Sequence, residues 1–257
     1  MNYVEVKKEV KKRVKLPKIL IAIPTYEGKN YCLEPFLNNL SNFSYPKDRL
    51  DYYIADNSAT NENARMLNKK YGFKVFWKDY SDYEMFEKMA DSHNQLRRYF
   101  LESDCDYMLH LESDIFPPED CIQRLLEANK PIVNGLYQIF DGAERTPCLA
   151  WQDDLHDYYK DFRFFTRSDY FWHDFVDGDV KQVTIAGIGC CLMKKKVMQK
   201  FQFRYPKDGN NPPDTYFAED LNVAGVKNYV DTSLVCFHWN KEDWGRHVKL
   251  LKYHKKE

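Results

Sequence analysis

The sequence predicts an α/β protein built on a mostly parallel sheet flanked by helices. Short apolar runs alternate with longer amphipathic stretches through the first half of the chain. Such alternation places parallel strands under crossover helices. Acidic and polar residues follow several of the apolar runs, at the strand ends where sheets of this kind bind ligands. A length of 257 residues suits one large domain or two small ones.

Each element follows from local pattern. The run Lys18 to Pro24 is apolar and stopped by proline, as expected of a buried strand. A helix is expected from Tyr31 to Leu40, a strand from Asp51 to Asp56, and a helix from Asn61 to Tyr71. Lys74 to Trp77 reads as a third strand and Tyr83 to Leu101 as a longer helix. Asp106 to Leu111 is the fourth strand and exits into Glu112-Ser113-Asp114. Pro118 to Ala128 reads as a helix opened by proline and acids, and Pro131 to Gly135 as the fifth strand.

The second half has a different texture. Phe140 to Gln182 is acidic, aromatic and without clear periodicity, the pattern of a functional loop or lid. Val183 to Met193 reads as a strand containing Gly187 and Gly189, and Lys194 to Phe201 as a helix. Gly209 to Pro213 is a loop, and Ala218-Glu219-Asp220 is expected to open a short helix over Leu221 to Gly225. Tyr229 to His238 is the last strand.

Composition narrows the function. A formal net charge of −1 argues against a generic electrostatic nucleic-acid binder. No run approaches the length of a membrane span, and the first residues lack the apolar stretch of a signal peptide. The 7 cysteines show no metal-site spacing, which suits reduced thiols in a cytoplasmic protein, at most peripheral to a membrane. The basic stretch from Val4 to Lys15 is either a solvated tail or an amphipathic arm for an anionic surface or nucleic acid.

Three groups of residues carry the chemistry. Glu112 and Asp114 leave a strand two residues apart, so both can reach a hard cation such as Mn²⁺ or Mg²⁺ together with substrate phosphates. Glu219 and Asp220 are a second acidic pair, and His238 closes the last apolar run. The plain alternatives are a solvated turn, helix-dipole partners and a structural histidine.

In this order the groups resemble the GT-A glycosyltransferases, particularly the family 2-like enzymes, from Ile19 to about Trp239. The resemblance rests on Ile23 to Tyr26, Tyr45 to Leu50, Ile54 to Ser58 and Tyr107 to Asp114. It continues through Ala186 to Val197, Ala218 to Leu221 and Tyr229 to His238. It implies a GT-A sheet and transfer of a sugar from a nucleotide-sugar, a UDP-sugar above all, with inversion. A basic arm at 1–17 would precede a catalytic domain at 18–240, with a charged tail at 241–257. That domain would have a Rossmann-like donor half at 18–139 and an acceptor half at 140–240.

The resemblance also implies roles. Pro24, Thr25, Tyr26, Glu27, Asp56, Asn57, His93, Asn94, Glu112 and Ser113 would bind the donor. Asp114, His238 and Glu112 would hold Mn²⁺ or Mg²⁺. Asp220, with Glu219 beside it, would be the base, and Gly187, Gly189, Trp151 and Trp172 would line the acceptor side. The chain departs from the family at Glu27-Gly28, at His93 and at Glu112, where the family usually has Asn-Glu, Arg and Asp. The expected acceptor is a glycan, lipid-linked or protein hydroxyl, with a hydroxylated base in DNA as the alternative. A nucleotidyltransferase would need a glycine-rich basic loop where Thr25 to Asn30 stands. A non-catalytic sugar- or nucleic-acid-binding module would need neither the metal tripeptide nor the acid pair.

Overall fold

A computed structural model describes residues 16–140, 145–147, 149–150 and 177–239. The basic arm before residue 16, Trp151 and Trp172 with most of the expected lid, and the charged tail lie outside the described residues.

The first half follows the predicted rhythm. Strands β1 (Ile19–Thr25), β2 (Leu50–Asp56), β3 (Lys74–Trp77) and β4 (Tyr107–Leu111) alternate with helices α1 (Leu33–Ser41), α2 (Glu62–Tyr71) and α3 (Met85–Glu102). A two-residue strand β5 (Ile115–Phe116) precedes α4 (Cys121–Glu127) and β6 (Ile132–Leu136). The short strands β7 (Gln138–Phe140), β8 (Arg145–Pro147) and β9 (Leu149–Ala150) fall where little regular structure is expected. Then come β10 (Val180–Val183), β11 (Ile185–Ala186), β12 (Cys190–Lys194), α5 (Lys195–Lys200), α6 (Pro213–Val223), β13 (Asn228–Val235) and β14 (Phe237–His238).

One eight-stranded sheet runs in the order β10-β13-β6-β12-β4-β1-β2-β3. β1 pairs in parallel with β2 and β4, and β2 with β3. β12 is antiparallel to both β4 and β6, while β13 is parallel to β6 and β10 antiparallel to β13. The sheet is therefore mixed but mostly parallel, as the alternation predicts.

Strand periodicity builds the two cores. Ile19, Ile21 and Ile23 face one side with Phe36 and Leu40 of α1, Leu67 of α2 and Ile122 and Leu125 of α4. Leu20 and Ala22 face the other with Leu96 and Phe100 of α3, Met198 of α5 and Phe217 and Leu221 of α6. Successive side chains of a strand point to opposite faces, so a strand apolar throughout must be covered on both. Burying each of these isoleucines stabilises the fold by about 1.5–3 kcal/mol. Among the described residues no helix is long and apolar enough to cross a membrane, and the six cysteines described are buried and free.

Several elements differ from expectation. The expected strand Val183 to Met193 is broken around Gly187 and Gly189, where the chain turns against Tyr137 and Glu112. The last strand divides at Cys236, whose N–H bonds to the Leu136 carbonyl. The first helix starts with a 3-10 turn at Glu27–Cys32, and α4 starts at Cys121 rather than at Pro118. The largest correction is α6, expected from Leu221 but starting at Pro213. Proline at the first position of a helix gives up no intrahelical bond, so the helix begins early and Glu219 and Asp220 lie inside it. Asp214 takes the place in the first turn.

Candidate active site

Strand order reverses direction between β1 and β4, and the loops leaving the two strands diverge to form a crevice. Thr25 and Ser113 meet across it, their hydroxyls 2.9 Å apart. Above this bridge lies a cavity of about 350 Å³ lined by Pro24, Thr25, Tyr26, Lys29, Asn57, His93, Glu112, Ser113 and Asp114. Its helical wall is Met85, Lys88, Met89, Ser92 and His93 of α3. Those positions follow the three-four spacing of one helix face.

Asp114 is the most constrained group of the site. It is 1 % exposed, and its Oδ2 accepts from the Lys29 ammonium and lies 3.3 Å from His238 Nε2. Its Oδ1 is buried with no hydrogen-bond partner. The backbone holds it in place: the Trp239 N–H bonds to its carbonyl, and β14 pairs with β5 so that His238 lies opposite Ile115. Burial alone would raise the Asp114 carboxyl, but the His238 bond and the Lys29 charge outweigh it and hold it below the usual range. Glu112 goes the other way. Burial first, then the Asp114 charge, pushes its carboxyl up to about 7, with Asp214 adding to the rise. The opposite shifts leave Asp114 ionised and Glu112 only partly so near neutral pH, between one and two negative charges in all.

His93 and His110 form a buried relay. His110 Nδ1 lies 2.8 Å from the Ile188 carbonyl, which can only accept, so Nδ1 carries the proton. Burial keeps His110 neutral, pulling it down to about 4, so its Nε2 accepts from His93 Nδ1 at 3.0 Å. His93 is held well below its ordinary value by burial and by His110, which leaves its Nε2 as a bare acceptor on a residue that lines the cavity.

The remaining expected residues separate from this group. Asp56 is fully buried and binds the Ser58 N–H at 3.0 Å, and it does not line the cavity. Glu27 accepts from the Ala59 N–H at 3.2 Å and lines a neighbouring polar cleft. Asn94 bonds both ways with the Phe203 backbone, tying α3 to the chain after α5. Gly189 touches the site through its carbonyl, which accepts from the Glu112 N–H at 2.9 Å, while Gly187 is buried in the preceding turn.

Glu219 and Asp220 both pair with Arg204. Arg204 Nε bonds both Asp220 oxygens at 3.1 and 3.0 Å, and its Nη2 bonds Glu219 at 2.7 Å. Asp214, one residue into α6, does not line the cavity, but its charge adds to the rise at Glu112. Burial raises it to about 6. Pro213 followed by Asp214 is the sequence signal for a helix start at this position, with Asp214 in its first turn. For Met85, Lys88, Met89 and Ser92 the signal is their helical spacing from His93.

No family model matches the chain, and no curated protein sequence matches it. Solved structures do. The mannosyltransferase PcManGT from Pyrobaculum calidifontis, in complex with GDP-Man and Mn²⁺, is 16% identical, with a TM-score of 0.52 over 86% of this chain and 56% of that one. S. aureus TarS is 11% identical, with a TM-score of 0.51 over 88% of this chain and 37% of that one. A197 from STIV is 18% identical over 88% and 87% of the two chains, at a TM-score of 0.49. The chain thus spans little more than half of PcManGT and about a third of TarS. At these identities the likeness concerns the fold, and the chain carries a glycosyltransferase-like, GT-A-type α/β fold.

Proposed function

We propose that the protein is a glycosyltransferase whose cavity between β1 and β4 binds a nucleotide-sugar and transfers its sugar to an acceptor hydroxyl with inversion. The observation that carries this reading is the meeting of Asp114, His238, Glu112 and Lys29 at the carboxyl end of β4, beside the cavity wall formed by Pro24 to Tyr26 and His93. The fold shared with PcManGT, itself seen with GDP-Man and Mn²⁺, supports it.

The residues fit a divalent metal that takes most of its ligands from its substrate. Among the described residues no three His, Cys, Asp or Glu side chains form a closed metal site. The buried, unpartnered Asp114 Oδ1 and the adjacent His238 Nε2 are two suitable donors, and such ions are commonly held by one or two protein groups plus substrate phosphates. Asp114 and His238 would hold Mn²⁺ or Mg²⁺, which would offset the charge of the departing diphosphate.

The chain's own residues do the rest. Lys29 and Lys88 bring positive charge to the cavity that receives the diphosphate. Pro24, Tyr26, Met85 and Met89 supply apolar surface for the base. The bare His93 Nε2 suits a base with a ring N–H, as uracil and guanine have. In place of Asp220 we assign the base to Asp214, which would accept the proton of the acceptor hydroxyl as that oxygen attacks the anomeric carbon. Gly187 to Gly189 would border the acceptor. A panel of UDP- and GDP-sugars, scored for release of nucleoside diphosphate with Mn²⁺, tests the reading. At least one donor should turn over, with loss in excess chelator and in Asp114→Asn. Turnover undiminished in the Asp114→Asn protein would remove Asp114 from the mechanism.

A further inference from the structure

We propose that Lys29 is a resident counter-cation of Asp114, exchanged for the metal when the nucleotide binds, so that metal and nucleoside diphosphate enter the site cooperatively. The inference rests on the donor-site reading above and goes beyond it to the order of assembly.

A buried carboxylate needs a compensating charge. Asp114 is 1 % exposed and has it from Lys29, whose ammonium pairs with Oδ2. The other neighbour of that oxygen is His238. The metal must approach this same carboxylate, and an ammonium fixed on it repels a doubly charged ion at short range. Both cations therefore cannot share Asp114 in this arrangement. The repulsion disappears once Lys29 has another anion to serve.

Lys29 is built for such an exchange. Its side chain is 28% exposed, and the residue lines the cavity that Asp114 borders. Its backbone is fixed, since the Lys29 N–H bonds to the Tyr26 carbonyl at 2.9 Å within the 3-10 turn. The four-carbon stem alone has to move, and a lysine ammonium is a point charge with no planar geometry to satisfy. A diphosphate in the cavity offers it that second anion. The move leaves Asp114 Oδ2 with His238 as its neighbour, beside the unpartnered Oδ1.

The test is direct Mn²⁺ binding, followed by the electron paramagnetic resonance of the free ion, with and without UDP or GDP. Wild-type protein should bind Mn²⁺ at least tenfold more weakly alone than with the nucleotide. Lys29→Met should tighten nucleotide-free Mn²⁺ binding at least tenfold and shrink the nucleotide's effect on it, and Lys29→Gln should behave in the same direction. Circular dichroism at the assay temperature confirms that each variant is folded. Unchanged nucleotide-free Mn²⁺ affinity in the folded variants, with wild-type protein still binding Mn²⁺ in the presence of nucleotide, overturns the exchange and leaves the donor site standing. Absence of Mn²⁺ binding in every form, with either nucleotide, overturns the metal site and the exchange together.

Discussion

Asp214→Asn and Asp220→Asn are the most discriminating pair of substitutions, because both carboxylates lie on α6. Residues five and six positions beyond Asp214 point about 140° and 240° further round the helix. Glu219 and Asp220 thus leave from other sides of α6 than Asp214, and they hold Arg204 instead. The side chains of Arg204 and Asp220 are 36% and 33% exposed, so solvent screens the pair and its loss costs about 0.2–1 kcal/mol. Asp220→Asn should then lower the melting temperature by only a few degrees and leave kcat within about threefold of wild type, since a carboxylate held by Arg204 in a screened pair adds little to the transition state. Asp214→Asn keeps the shape but removes the proton acceptor. A general base is worth about 10²–10⁴-fold, or about 3–5 kcal/mol of activation free energy, and donor affinity should stay near wild type. Steady-state kinetics with the best donor and acceptor, beside donor binding by calorimetry, measures both. A hundredfold loss in Asp220→Asn with Asp214→Asn nearly unaffected would refute the helix-register argument.

Two further outcomes follow from the same geometry. Burial lifts Asp214 to about 6, above the ordinary aspartate value, so the basic form needed for proton acceptance is lost as pH falls through that region. The rate should therefore drop on the acid side below about pH 6, and a profile flat to pH 4.5 would rule Asp214 out as the base. A Cβ on Gly189 would lie 2.8 Å from the Tyr137 ring and 3.0 Å from Ile115, so Gly189→Ala should destabilise the fold by about 1–3 kcal/mol in denaturant unfolding. A wild-type midpoint would mean that the turn relaxes freely.

Much of the fold is legible because strand and helix periods are local. β1, β2, β3 and β4 with their intervening helices match the pattern almost residue by residue. The tripeptide at Glu112 to Asp114 and the late His238 are legible as well, and the structure brings them together through the pairing of β14 with β5. What sequence spacing cannot reveal is who pairs with whom. Glu219 and Asp220 look like an acid pair at a helix start until Pro213 opens the helix earlier and Arg204 claims them. Asp56 and Asn94 sit near the site in sequence pattern, yet backbone groups hold both. Lys29 and His93 acquire their roles only from distant partners, Asp114 and His110, which the fold brings alongside.

The central claim is that the cavity between β1 and β4 is a nucleoside diphosphate site completed at Asp114. Calorimetric titration of UDP and of GDP into the protein, with Mn²⁺ and with excess chelator, tests it most directly. At least one of the two should bind at a single site with Mn²⁺, and Asp114→Asn should weaken that binding at least tenfold. Failure of both nucleotides to bind with Mn²⁺, or binding that Asp114→Asn leaves unchanged, would contradict the account.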